Sequence, residues 1–149
     1  MAAPNGNDDV VLNKAATIER CVARAREEYL KDPATFDRDF TRQDAAIMNI
    51  QRACQAALDI GQHVIRSERL GVPQSARDVF DLLSKAHIIQ AELADALKRM
   101  VGFRNIAVHD YQILHLPIVV TIIDKHLEDF LRFSKSMLQR GRPHTHQPV

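Results

Sequence analysis

One segment of the sequence combines side chains that can carry charge, exchange protons and accept a modification. Arg104, His109 and Tyr111 occur there in an Arg-x4-His-x-Tyr pattern, within a stretch that is otherwise apolar and helical. A guanidinium is always charged and needs an anion or several acceptors, whereas histidine changes its charge near neutral pH. Taken singly, these residues also fit a surface arginine and a histidine favoured at a helix C-terminus. Their combination makes the segment a candidate functional site.

Helical geometry constrains how these three side chains can meet. At 3.6 residues per turn, Arg104 and Tyr111 lie within roughly 20° of each other and about 10 Å apart along the axis. His109 lies roughly 140° away from Arg104 on the same ideal helix. The three converge only if the helix loosens near its end or a second copy of the chain supplies part of the site. We therefore expect a homodimer with a composite cleft.

The elements that must position this segment are helices. Apolar residues recur every three or four positions in five stretches, and no strand pattern is convincing. Pro33 and Gly71-Val72-Pro73 mark breaks, Pro117 fits a first helical turn, and Thr41–Asp44 and Ser75–Asp78 resemble capping boxes. The sequence predicts an all-α, up-and-down bundle of about five helices over residues 9–140. Residues 1–8 and 141–149 are predicted to be flexible tails.

Composition limits the classes of function. The 149 residues include 46% hydrophobic and 26% charged residues, with a formal net charge of +1. A protein that binds long duplexes non-specifically usually carries a basic excess, so any nucleic acid should bind here in a local cleft. Cys21 and Cys54 lie in apolar helical patterns and are expected to be buried thiols. Without a signal-peptide pattern or a membrane-length apolar run, the sequence predicts a soluble cytoplasmic protein.

Several other kinds of site lack support. The sequence has no Gly-x4-Gly-Lys-Ser/Thr loop and no Gly-x-Gly-x-x-Gly fingerprint for nucleotide phosphates. No His-Glu-x-x-His or paired-cysteine spacing appears, and His144 and His146 fall in the predicted tail. Gly102 lies mid-helix at a cost of about 1 kcal/mol relative to alanine, which predicts close approach by another backbone or a ligand. We expect no metal and no cofactor.

The candidate segment resembles a known signature. Residues 100–105 (MVGFRN) followed by 108–111 (VHDY) are similar to the motif of HepT-like toxins, which belong to the HEPN family and are paired with MntA antitoxins. The resemblance covers nearly the whole body, from the helix at 45–65 through Gly71-Val72-Pro73, residues 77–80 and residues 127–130. An Arg-x4-His-x-Tyr element is fairly specific at the end of such a helix.

The resemblance implies a function and a role for each residue. It implies a metal-independent ribonuclease whose site forms across a homodimer, with His109 as general acid or base and Arg104 on the phosphate. Asn105 is then a supporting donor, and single-stranded RNA is the expected substrate. In HepT-like toxins the motif tyrosine receives AMP from a nucleotidyltransferase antitoxin of the MntA type. Tyr111 is the corresponding residue here, and its modification is expected to inactivate the enzyme.

Two other functions remain open at this stage. A helical dimer of this kind could bind nucleotide or RNA through the Arg104 segment without cutting it. The chain could also be a structural adaptor for a nucleotidyltransferase subunit, in which case Tyr111 would serve complex formation alone.

Overall fold

The fold of this protein consists of helices. The structure is a computed structural model that describes residues 6–140, with side chains from residue 9. The six α-helices are α1 (Gly6–Leu30), α2 (Phe40–Glu68), α3 (Ala76–Lys85), α4 (Ala91–His109), α5 (Leu116–Lys125) and α6 (Leu127–Arg140). Two short 3-10 helices connect them, at Pro33–Arg38 and Tyr111–Ile113. No strand occurs within residues 6–140, so the predicted all-α class is confirmed.

The number of helices differs from the prediction in one place. The predicted fifth helix divides at His126, where the backbone leaves helical geometry (φ −120°, ψ −8°) between α5 and α6. Its apolar spacing continues across the break, because Ile123, Leu127 and Phe130 are all buried. A bend of this kind leaves no mark in the hydrophobic pattern.

The predicted helix starts were right at α3 and wrong at α2. Ser75 Oγ accepts from the backbone N–H of Asp78 at 3.1 Å, as a capping box requires. At α2 the capping residue is Asp39, whose carboxylate accepts from the Arg42 N–H at 3.1 Å. Thr41 is already helical there, because Asp39 is the last residue with an extended backbone (φ −109°, ψ 92°).

The first helix begins slightly earlier than the sequence predicts. Helix α1 begins at Gly6, whereas a tail was predicted through Asp8. The tail predicted for residues 141–149, which contains His144 and His146, lies outside the described residues.

Helix α2 is the centre of the bundle. It packs along α1 on one side and contacts α3, α4 and α6 on the other. The rings of Phe80 and Phe133 meet edge to face at 5.7 Å in this core. Cys21 and Cys54 are buried free thiols, as predicted. Within residues 6–140, none of the helices combines the length and apolarity needed to cross a membrane.

Candidate functional site

The three predicted residues lie in two helices. Arg104 and His109 are in the last turns of α4, and Tyr111 is in the 3-10 helix that follows it. The α-helix stays regular through Arg104 and His109, and Asp110 then leaves it (φ −150°, ψ 46°). The N–H of Asp110 still donates to the carbonyl of Ile106 at 2.8 Å, and Tyr111 begins the 3-10 helix that follows. The change in backbone therefore separates Tyr111 from the other two residues.

Arg104 is held by neutral groups. Its Nη1 donates to Oε1 of Gln55 at 2.7 Å, and its Nη2 donates to Oδ1 of Asn105 at 2.9 Å. Its Nε is buried without a hydrogen-bond partner. No carboxylate among the described residues lies within ion-pair distance of this guanidinium. The charge of Arg104 is thus oriented but not neutralised, which suits a site for an anion.

Asn105 forms a hydrogen bond with the neighbouring Arg104. Its amide oxygen accepts from the Arg104 guanidinium, so in this structure it acts as an acceptor and steadies the arginine. Its amide nitrogen carries two N–H groups that can donate to a ligand, so the role of supporting donor stays a prediction.

Gln55 is a site residue that sequence reasoning missed. Its Oε1 accepts from Arg104, while its Nε2 donates to Oδ1 of Asp59 at 3.1 Å. Asp59 in turn forms an ion pair with Lys14 at 3.0 Å. The one available signal was the i, i+4 spacing of Gln55 and Asp59 on α2, a pair that commonly bonds on a helix surface. Gln55 is exposed, yet both ends of its amide are fixed.

Arg104 and His109 line the same shallow depression, of about 390 Å³, between α2 and α4. His109 is exposed to solvent and Arg104 is half-buried. The full lining is Met48, Gln51, Arg52, Gln55, Arg104, Val108 and His109. One chain therefore brings the arginine and the histidine to a common surface, although an ideal helix separates their positions by roughly 140°.

Tyr111 belongs to a second depression, of about 380 Å³, near the start of α2. Its hydroxyl donates to a carboxylate oxygen of Asp44. Burial, followed by this hydrogen bond and the charge of Asp44, raises the pKa of Tyr111 to about 12. Asp44 was predicted as part of a capping box, and its contact with Tyr111 was missed. The structure places Tyr111 apart from the Arg104–His109 depression.

A side chain makes the close approach at Gly102, where a backbone or a ligand was predicted. A Cβ at this position would lie 2.7 Å from Nη2 of Arg77, so the arginine rests directly on the α4 backbone. This contact forms part of the rim of an apolar cavity of about 560 Å³ between α4 and α5. Among the described residues, no group of three histidine, cysteine or acidic side chains is arranged to hold a metal ion.

Comparison with known proteins identifies relatives that are similar to most of this chain. A family model described as Ribonuclease HepT-like matches residues 18–137. The mRNA nuclease HepT of Shewanella oneidensis is 52% identical over 126 residues, which cover 85% of this chain and 94% of that protein.

Two solved structures are similar to the same extent. The crystal structure of a toxin–antitoxin with AMP-PNP matches with a TM-score of 0.83 and 50% identity, over 87% of this chain and 97% of that one. A tri-AMPylated Shewanella oneidensis HEPN toxin in complex with MNT antitoxin matches with a TM-score of 0.83 and 50% identity, over 87% and 96%. The range of the family model contains both depressions described above.

Proposed function

This chain belongs to the HepT-like ribonuclease family, and from that premise we propose that it is the RNA-cleaving toxin of a cytoplasmic toxin–antitoxin pair. The observation that carries the proposal is the depression shared by Arg104 and His109. An arginine with no carboxylate partner in the described part of the chain lies there beside an exposed histidine. Phosphate binding and proton transfer, the two needs of RNA cleavage, are both met on this surface.

The reaction needs no group beyond the RNA and these side chains. His109 takes the proton from a ribose 2′-hydroxyl, and the 2′ oxygen forms a bond to the adjacent phosphorus. The bond from phosphorus to the 5′ oxygen breaks, and that oxygen receives a proton from the histidine. Arg104 binds the phosphate and stabilises the charge that develops on its oxygens. The products are a 2′,3′-cyclic phosphate and a free 5′-hydroxyl.

A single strand suits this site better than a duplex. The depression is shallow and open, and the attacking 2′ oxygen must come into line with the bond that breaks. An unpaired strand can be distorted to that geometry, whereas an A-form helix holds its backbone fixed. The substrate that we propose is therefore single-stranded RNA, consistent with the mRNA nuclease activity named for the Shewanella oneidensis relative.

A second copy of the chain is the proposed partner at this face. Met48 and Val108 line the depression and are 44% and 50% exposed, so apolar side chains surround the catalytic pair. Covering them in a homodimer would remove apolar surface from water and narrow the cleft around the RNA.

The proposed switch is AMPylation of Tyr111 by an MntA-type nucleotidyltransferase antitoxin. The matched Shewanella oneidensis toxin is tri-AMPylated and is in complex with an MNT antitoxin. Tyr111 is 43% exposed and follows the helix that carries Arg104 and His109. Each AMP adds bulk and roughly one negative charge, and this phosphate would compete with the RNA backbone for Arg104.

The test compares cleavage by purified wild-type protein with Arg104→Ala and His109→Ala. We expect each substitution to lower the cleavage rate of single-stranded RNA by about 100-fold or more. Arg99→Ala is the control, because Arg99 is an exposed arginine on α4 that lines the apolar cavity between α4 and α5 and not the Arg104–His109 depression. Undiminished cleavage in both variants would overturn the catalytic assignment.

The same experiment separates the alternative functions. A wild-type protein that retains RNA but yields no products would favour a non-catalytic binding module. An adaptor would leave RNA untouched, and only its complex with the nucleotidyltransferase would respond to Tyr111→Phe. In the proposed enzyme, Tyr111→Phe prevents modification and leaves cleavage intact.

A further inference from the structure

A third depression, which is polar and distinct from the Tyr111 depression, adjoins the one that contains Arg104 and His109. It has a volume of about 300 Å³ and lies between α1 and α2. Its lining is Lys14, Thr17, Arg20, Cys21, Asn49, Arg52, Gln55, Ala56 and Asp59. Arg52 and Gln55 line both depressions, so the two form one continuous path from α4 across the solvent face of α2 to α1.

The charge along this path is positive. Asp59 is its one carboxylate, and Lys14 neutralises it in an ion pair of 3.0 Å. Arg20 and Arg52 are exposed, and neither has an ion-pair partner among the side chains that the structure describes. Arg104 adds a further positive charge to the path, and the amides of Asn49, Gln51 and Gln55 can donate or accept hydrogen bonds.

The two arginines converge on one place. Burial raises the pKa of the Cys21 thiol, and the charges of Arg20 and Arg52 both oppose that rise. Both arginines line the depression together with Cys21, so their charges act in the same place. Arg24 and Arg26, further along α1, are instead paired with Glu28 and Glu128. Arg20 is thus the arginine of this stretch of α1 whose charge remains available.

We propose that Arg20 and Arg52 form a subsite for RNA phosphates that flank the one being cleaved, so that the strand runs from α4 across α2 to α1. This inference rests on the proposed ribonuclease function and names how its substrate is held. Proteins that hold a single strand without reading its sequence use a positive groove that follows the backbone. With a net charge of only +1, the molecule has to provide that attraction locally.

The proposal predicts a dependence on substrate length. A dinucleotide fills the Arg104–His109 depression alone, whereas an oligonucleotide of about ten residues reaches the subsite as well. The double variant Arg20→Gln/Arg52→Gln should raise the KM of the longer substrate by roughly tenfold, and Arg20→Gln alone should raise this KM while kcat stays within about twofold. The kinetics of the dinucleotide should not change in Arg20→Gln, because Arg20 lines the subsite and not the Arg104–His109 depression.

Salt provides a second readout that a merely structural role would not alter. Each lost contact to a single-strand phosphate lowers the slope of log affinity against log salt by about 0.7, so the double variant should lose about 1.4. The charge-retaining variant Arg20→Lys/Arg52→Lys should keep most of the slope. Arg99→Gln is the control for loss of an exposed arginine elsewhere, and thermal melting of every variant checks that the fold is intact.

Each outcome decides the matter. If the wild type cleaves the oligonucleotide and the double variant behaves like Arg99→Gln, the subsite is wrong and the ribonuclease function stands. If Arg20→Gln loses the dinucleotide as well, Arg20 acts at the scissile phosphate, which also overturns the subsite. If the wild type cleaves neither substrate, the proposed function itself fails.

Discussion

The two depressions along α2 use opposite arrangements of charge. In the Arg104–His109 depression, the guanidinium is held by the neutral amides of Gln55 and Asn105. In the Tyr111 depression, a carboxylate, that of Asp44, accepts from the neutral phenol. The first arrangement leaves a positive charge available to a ligand, and the second leaves a negative charge beside a hydroxyl.

This difference suggests how one region could control the other. An anion is stabilised beside Arg104 and destabilised beside Asp44, because like charges at short range repel. A phosphate attached to the Tyr111 hydroxyl would therefore be driven away from Asp44 and attracted to the cationic depression. The proposed modification gains its effect from the contrast between the two regions.

The largest expected effect comes from replacing the neutral amide of Gln55, which accepts from Arg104, with a carboxylate. Gln55→Glu places a carboxylate where the amide oxygen now accepts from Arg104, so the guanidinium becomes neutralised by an ion pair. We expect kcat/KM for single-stranded RNA to fall by about 100-fold, comparable with loss of a group that stabilises the transition state. Gln55→Leu removes the acceptor without adding charge and should cost about tenfold.

Gln51→Glu is the matched control for this prediction. Gln51 lines the same depression and makes no hydrogen bond to Arg104 in the structure. If Gln51→Glu lowers cleavage as much as Gln55→Glu, general repulsion of RNA is responsible, and the specific support of Arg104 by Gln55 is refuted.

A smaller effect is expected at Asp44. Burial and the Asp44 carboxylate together raise the pKa of Tyr111 to about 12, so the phenol gains a contribution to stability that is present below about pH 10 and is lost as the pH rises through 12. Asp44→Asn should lower the pKa of Tyr111, and the part of the rise that is due to burial should remain. The absorbance of the phenolate measures it in a Tyr29→Phe background, where Tyr111 is the one tyrosine remaining.

The same variant tests whether the two depressions are independent. Asp44 makes no contact with Arg104 or His109, so Asp44→Asn should leave the cleavage of RNA within about twofold of the wild type. A large loss of cleavage in a folded Asp44→Asn protein would show that the two regions act as one site.

The sequence was sufficient to find the residues that carry charge but not those that orient them. Arg104 and His109 stand out because ionisable groups interrupt an apolar helical stretch. Gln55 does not, since it is a neutral surface residue 49 positions from Arg104 and is brought near only by the packing of α2 on α4. Contacts between helices depend on how they pack, which periodicity along one helix does not encode.

Local patterns failed where two of them competed. The Thr41–Asp44 spacing fits a capping box, yet Asp39 lies two positions before it and caps the helix instead. Once Thr41 is helical, Asp44 is released from the cap and can accept from Tyr111. Because the sequence analysis assigned the cap of α2 to Thr41 and not to Asp39, it did not predict the contact between Asp44 and Tyr111.

The smallest expected effect concerns the cap that both depressions share through α2. Asp39→Ala removes the hydrogen bond to the Arg42 N–H and should lower the free energy of unfolding by about 1 kcal/mol. Denaturation by urea measures this loss. Without the cap, α2 should unfold locally from its N-terminus. This local unfolding should reach Asp44, which is five residues after Asp39, but not Gln55, which is sixteen residues after it.

Ser75→Ala separates local fraying from loss of stability in general. It deletes the equivalent bond at α3, to the Asp78 N–H, and should cost about the same free energy. We expect Asp39→Ala to lower the Tyr111 pKa while cleavage stays near the wild-type rate, and Ser75→Ala to change neither. Equal changes in both variants would mean that Tyr111 responds to global stability, because α3 contributes no residue to its depression.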